Sequence, residues 1–134
     1  MANAWDHLPN AKLVDRVLAD LRARPQVWDA ARGAARVAAR GAAWDAARDA
    51  ARDAARGTTW YAARDAAWGA ARGAAWDASW DAALDACAAL VAWDDASLLL
   101  DMPVDAVRLL AASGHHPAVL MLPACIALNG DSHD

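Results

Sequence analysis

The sequence predicts an all-α protein: a bundle of Ala-rich helices carrying a four-residue (Trp/Arg)-(Asp/Gly)-Ala-Ala repeat, with N- and C-terminal amphipathic helices packed on it. Three observations lead there. Alanine, the strongest helix former, fills two positions of most tetrads between Trp28 and Ala92. Apolar residues outside the repeat recur at helical spacing, as in Leu13, Val14, Val17, Leu18 and Leu21. No run of alternating β-branched or aromatic residues reads as a strand.

Residues 1–24 hold the first element. Asn10 stands where an N-cap belongs, the apolar stripe from Leu13 to Leu21 defines one face, and Pro25 stops the helix.

Residues 25–92 are the tetrad region. Trp28, Trp44, Trp60 and Trp76 lie 16 residues apart, and Gly41, Gly57 and Gly73 keep the same phase, so four tetrads form one larger unit. Four residues advance a helix by about 400°, so each tetrad rotates its leading side chain by about 40°. Nine tetrads would carry the Trp/Arg stripe fully round one rod. Three or four keep it on one broad face. The period therefore favours several short helices, with breaks at the glycines, Gly57-Thr58-Thr59 being the best candidate and Gly41 and Gly73 weaker ones. The alternative is a hairpin of two long helices turning only at Gly57. The i,i+3 pairs Asp45–Arg48, Asp49–Arg52 and Asp53–Arg56 add a few tenths of a kcal/mol each, and the Trp residues fill the space that alanine leaves.

Residues 93–128 differ in texture. The stretch Leu84–Leu100 reads as a helix leaving the repeat. A further helix starts at Asp101, Pro103 and Asp105, runs through Val107, Leu109 and Leu110, and ends at Gly114. Pro117 opens a last apolar segment that Pro123 should end or kink. Residues 129–134 read as a tail.

Length and composition bound the rest. A chain of 134 residues makes one domain with a modest core. Eight Trp carry much of the apolar volume, Phe is absent, and every acidic residue is Asp, a skew that GC-rich coding produces easily. Cys87 and Cys125 lie in no metal spacing, which suits small buried apolar residues in a reducing cytoplasm. No secretory pattern opens the chain, and no window of about 18 residues is free of charge, so neither export nor membrane insertion is expected.

The charge is lopsided. Residues 1–72 carry 12 Lys/Arg against 8 Asp, whereas residues 73–134 carry one Arg against 9 Asp. A net charge of −4 opposes direct binding to nucleic acid. The acidic half suits a solvated face, or a surface that steers toward a basic partner such as a nucleic-acid-handling protein.

Catalytic signals are sparse. His115-His116 follows a glycine without a metal spacing, Asp94 and Asp95 diverge by about 100° on a helix, and Ser97 and Ser113 lack a nucleophile context. Neither an enzyme nor a bound cofactor or metal is expected. The candidate contact residues are Asp77, Asp81, Asp85, Asp94 and Asp95 of the acidic half, with Trp76 and Trp80 as aromatic anchors.

The flanks carry a resemblance. HLPNAKLVDRVLADL within residues 6–21, WDDASLLLDMPVDAVRLLA at Trp93–Ala111 and PAVLMLPACIAL at Pro117–Leu128 resemble the flanks of Ala-rich tetrad-repeat proteins of bacteria and their phages, a group without an assigned function. The resemblance implies a mobile-element setting and no site residues. Small acidic proteins in that setting are often inhibitors of host defence, anti-CRISPR proteins among them. The expectation is thus a cytoplasmic protein that binds and blocks a host protein. The alternative is a structural protein that self-assembles into a homo-oligomer through its Ala-rich faces.

Overall fold

The computed structural model describes residues 5–6, 8–39, 41–54, 60–66 and 77–129, with the side chains of 77–81 excepted. The described elements are α-helical except for one 3₁₀ segment, and no strand occurs among them. They are α1 (Ala11–Ala23), α2 (Pro25–Ala38), α3 (Gly41–Ala54), α4 (60–66), α5 (Asp77–Ala92), the 3₁₀ segment (Asp94–Asp101), α6 (Val104–Ala112) and α7 (His116–Asn129). No helix among these residues is long and apolar enough to cross a membrane.

The tetrad region breaks into short helices, and the register explains why. Trp28, Ala31 and Ala35 are buried on α2, and Trp44, Ala47 and Ala51 are buried on α3. Taking Trp as zero, Ala at +3 and +7 falls about 60° and 20° to one side, so the leading Trp and the last Ala of each tetrad share a narrow stripe. Another two tetrads would carry that stripe off the core. The chain breaks before this happens, at Ala39, whose φ of −139° and ψ of 145° are extended. Trp60 and Ala63 repeat the pattern on α4. The break between α2 and α3 does not use glycine as a helix terminator: Gly41 is the first residue of α3. The predicted break at Gly57-Thr58-Thr59 and the candidate at Gly73 lie outside the described residues.

These stripes rest on two central helices. Both α2 and α3 pack against α5 and α7, while α1 packs against α5. Every residue of α7 from Ala118 to Cys125 is buried, and α5 is buried from Ala82 to Val91 apart from the half-buried Leu84. A helix that is apolar all round needs neighbours on all sides. Of the repeat alanines, Ala31, Ala35, Ala47 and Ala51 are buried within the chain, whereas Ala30, Ala34, Ala42, Ala46 and Ala54 are exposed.

Polar groups fix the corners. Asp20 accepts from Arg24 Nε (3.0 Å) and Nη2 (2.9 Å) and from Trp28 Nε1 (2.7 Å), while Arg24 Nη2 also donates to the Ala127 carbonyl at 2.9 Å. One carboxylate therefore joins α1 to α2, and its arginine reaches the end of α7. Pro25, expected as a stop, is also the first residue of α2, where its missing N–H costs nothing.

Asn10 has a different duty from the one its position suggests. Its side chain makes no N-cap bond to α1. The buried amide instead lies 3.0–3.1 Å from the carbonyls of Leu90, Trp93 and Asp94, at the end of α5. Two protons serve three acceptors, so one bond is shared.

Two more expectations need correction. The helix predicted over Leu84–Leu100 ends at Ala92, because Trp93 turns extended (φ −131°, ψ 119°) and the chain tightens into the 3₁₀ segment. Of the two outcomes expected at Pro123, an end or a kink, the end does not occur: the last helix continues to Asn129. On α6, Val107 and Ala111 are buried and Leu109 is 74% exposed. The turn between α6 and α7 follows expectation: Gly114 adopts φ 87°, its N–H donates to Ala111 O, and His115 N–H donates to Leu110 O, which is a Schellman closure. His115 Nδ1 then accepts the Ala118 N–H (3.2 Å) and caps α7.

Candidate interaction surface

The acidic residues named from sequence fall into three groups. Asp94 and Asp95 are exposed at the start of the 3₁₀ segment. Asp85 is 3% exposed and is held by Arg48, with Nε–Oδ1 at 2.9 Å and Nη2–Oδ2 at 3.1 Å. It ties α3 to α5, so it is not offered to a partner in this fold. Asp77, Trp80 and Asp81 belong to α5, but their side chains are not described, and Trp76 lies outside the described residues.

The 3₁₀ segment adds two residues that sequence reading missed. With about three residues per turn, side chains at i and i+3 eclipse one another. Ala96 and Leu99, with the half-buried Met102, form the inward ridge. Asp95, Leu98 and Asp101 form the outward one, in which Leu98 is 61% exposed between two exposed carboxylates. At about 2.0 Å rise per residue the acids stand about 12 Å apart along the axis. On an α-helix the same three residues would spread over about 120°, which is why the helical reading hid the ridge. The signal was present as two interleaved three-residue periods, A-x-x-L-x-x-M and D-x-x-L-x-x-D.

Neighbours hold this segment in its tight form. Cys125 Sγ donates to Leu99 O at 3.4 Å, Asn129 Nδ2 donates to Leu100 O at 2.8 Å, and Asn10 reaches Asp94 O. Runs of 3₁₀ helix beyond three or four residues are uncommon because their hydrogen bonds are poorly aligned. Here eight residues persist because α7 and the N-terminal segment bond to three of their carbonyls. The ridge is therefore rigidly presented.

A second surface carries two arginines stacked on aromatic rings. Arg52 and Arg64 place their guanidinium carbons 5.1 Å and 5.8 Å from the Trp60 ring centroid, and Arg64 lies 5.0 Å from that of Tyr61. Tyr61 meets Trp60 edge to face at 5.0 Å and is 48% exposed. The register is shared: Arg36 stands 5.9 Å from the Trp44 ring, so the side chain eight residues before each Trp covers it, a place taken by Asp20 at Trp28. Trp5, Trp28 and Trp44 donate their indole N–H to Asp15, Asp20 and Ala39 O, whereas the buried Trp60 Nε1 has no acceptor among the described residues. Core packing and the stacked arginines hold that indole in place.

Catalytic geometry is thin. Among the described residues no group of three His, Cys or Asp side chains gathers to hold a metal. Cys87 and Cys125 are buried, and burial pushes both thiols up to about 12, so neither is a thiolate near neutrality. Ser113 Oγ donates to Leu110 O at 2.7 Å and Ser97 Oγ to Asp94 O at 3.4 Å, both as local helix-end contacts. An open groove of about 490 Å³ runs between the α2–α3 joint and the end of α6, lined by Arg36, Val37, Ala39, Ala42, Ala112 and Gly114 among others. Its walls are mostly methyl groups and carry no pair of groups fit for acid–base work. Comparison with family models, with curated proteins and with solved structures gives no match.

Proposed function

We propose that this chain is a non-catalytic protein-binding module that docks through the 3₁₀ ridge onto a basic face of a partner protein. The observation that carries the reading is the ridge itself: exposed Leu98 between exposed Asp95 and Asp101, with Asp94 and Asp105 nearby in sequence and also exposed. A leucine can fill an apolar pocket while flanking carboxylates pair with basic residues on its rim. The acids set orientation and encounter rate, and the leucine supplies contact area. The fuller form of the proposal is a cytoplasmic phage or mobile-element protein that inhibits a host protein, in the manner of anti-CRISPR proteins, by covering a nucleic-acid-handling surface. Support for it comes from the acidic sign of the ridge, the two free cysteines and the resemblance of the flanks.

The test is capture from host lysate with tagged wild-type protein and two charge-reversed variants. Asp95→Lys/Asp101→Lys should lose the partner, with affinity down at least about tenfold. Asp45→Lys/Asp49→Lys, on an exposed face of α3, should retain it. Equal retention by both variants would remove the ridge from the proposal.

A further inference from the structure

We infer that the Arg52–Trp60–Tyr61–Arg64 surface receives the acidic ridge of a second copy of this chain, so that copies associate head to tail. The two surfaces match in three respects. Groups of opposite charge face outward on the two, Asp95 and Asp101 on one and the guanidiniums of Arg52 and Arg64, with Asp53 and Asp65 beside them, on the other. Each centres on a large, solvent-facing apolar side chain, Leu98 at 61% and Tyr61 at 48% exposure. Each is also held in place before contact, the ridge by bonds to the Asp94, Leu99 and Leu100 carbonyls and the arginines by stacking on the rings.

Stacking matters to the chemistry. A guanidinium lying against an aromatic face keeps its N–H edges free for carboxylates, and it loses less side-chain freedom on binding than an unstacked arginine. The existing contact between Arg64 and Asp65 is 3.5 Å long and exposed, so it competes weakly. The two patches differ from one another, so the contact is heterologous. It builds open chains of copies and not closed dimers.

The inference stands apart from the proposed host partner, and one set of variants separates the two. Sedimentation velocity on the full chain at low salt should show the average mass rising with concentration. Between about 50 and 500 mM salt the association should weaken roughly tenfold, since exposed charges are screened. Asp95→Lys/Asp101→Lys alone and Arg52→Glu/Arg64→Glu alone should both stay monomeric. Mixed together, they should associate again, because the native ridge of the second variant meets the native patch of the first and the two reversed surfaces are complementary in turn. Asn and Gln replacements at the same positions should give a smaller loss, and they serve if charge reversal disturbs the helix content seen by circular dichroism. A wild-type chain that remains monomeric at every concentration and salt, or either reversed variant associating as the wild type does, would overturn the inference. The Arg52→Glu/Arg64→Glu variant should still capture a host partner, so loss of self-association leaves the proposed function standing.

Discussion

The repeat helices and the two central helices solve the burial problem in opposite ways. On α2 and α3 a single Trp and a line of Ala are buried, while Arg, Asp, Gly and further Ala face outward. On α7 eight consecutive residues are buried, with no charged side chain anywhere in the helix. An amphipathic helix needs one partner face, whereas an apolar helix needs a surround. The short repeat helices supply part of that surround, and their methyl-sized contact residues let them approach α5 and α7 closely. The comparison teaches that the early tetrads wrap a core whose two central helices come from the last tetrads and from the C-terminal segment.

The sharpest way to break this arrangement is at the charged link between the two regions. Asp85→Ala removes the buried carboxylate that holds the partly exposed Arg48, and the loss should be about 1.5–3 kcal/mol, read by urea denaturation. The exposed pair Arg108–Asp105 offers the control: Asp105→Ala should cost less than about 1 kcal/mol. Similar costs for the two would mean that α3 is not anchored to α5 through this pair.

A smaller effect separates the regions by pH, because both thiols lie in the central helices. Their folded-state pKa of about 12 exceeds the ordinary value of 9.0. The unfolded chain therefore releases these protons first as pH rises. The stabilising contribution is complete below about pH 9 and is lost progressively up to about pH 12, with a slope of at most about 1.4 kcal/mol per pH unit for each thiol. Stability measured across that range should flatten in the Cys87→Ala/Cys125→Ala variant relative to the wild type. An unchanged slope would show that the thiols reach solvent.

The smallest effect belongs to the repeat alone. Gly33 lies inside α2, and a Cβ there would meet nothing within 4 Å. Gly33→Ala should raise stability by up to about 1 kcal/mol through helix propensity, seen as an upward shift of the thermal midpoint. A drop would indicate that the glycine serves a contact made outside the folded monomer.

Much of the fold was legible. The 16-residue spacing of Trp28 and Trp44 matches one helix per unit, and the face of α1 falls where Val14, Val17, Leu18 and Leu21 place it. Gly114 closes α6 as a left-handed residue should. The surface was less legible. Asp94 and Asp95 are exposed, but Asp85, four residues after Asp81 in the same acidic run, is buried, since a one-dimensional charge pattern does not say which acid faces an arginine on another helix. Leu98 is not legible as a contact residue because a helical period hides the ridge, and Asp101 reads as the start of the next helix; the stacking of Arg52, Tyr61 and Arg64 depends on how one unit follows the next.

What the sequence determined by itself is local: helix-forming alanine, apolar stripes of fixed angular width, and a left-handed turn at a glycine. Each depends on residues within a few positions of one another, where backbone geometry leaves little choice. The tertiary structure decided the rest. Asn10 leaves its own helix to serve the end of α5, Pro123 stays within a helix that its neighbours enclose, and the 3₁₀ segment keeps its tight turn because three of its carbonyls accept bonds from residues distant in sequence. For Asn10 and the 3₁₀ segment, polar groups find their partners far along the chain, and the need to satisfy them outweighs local preference; for Pro123 it is the enclosing apolar packing that does so.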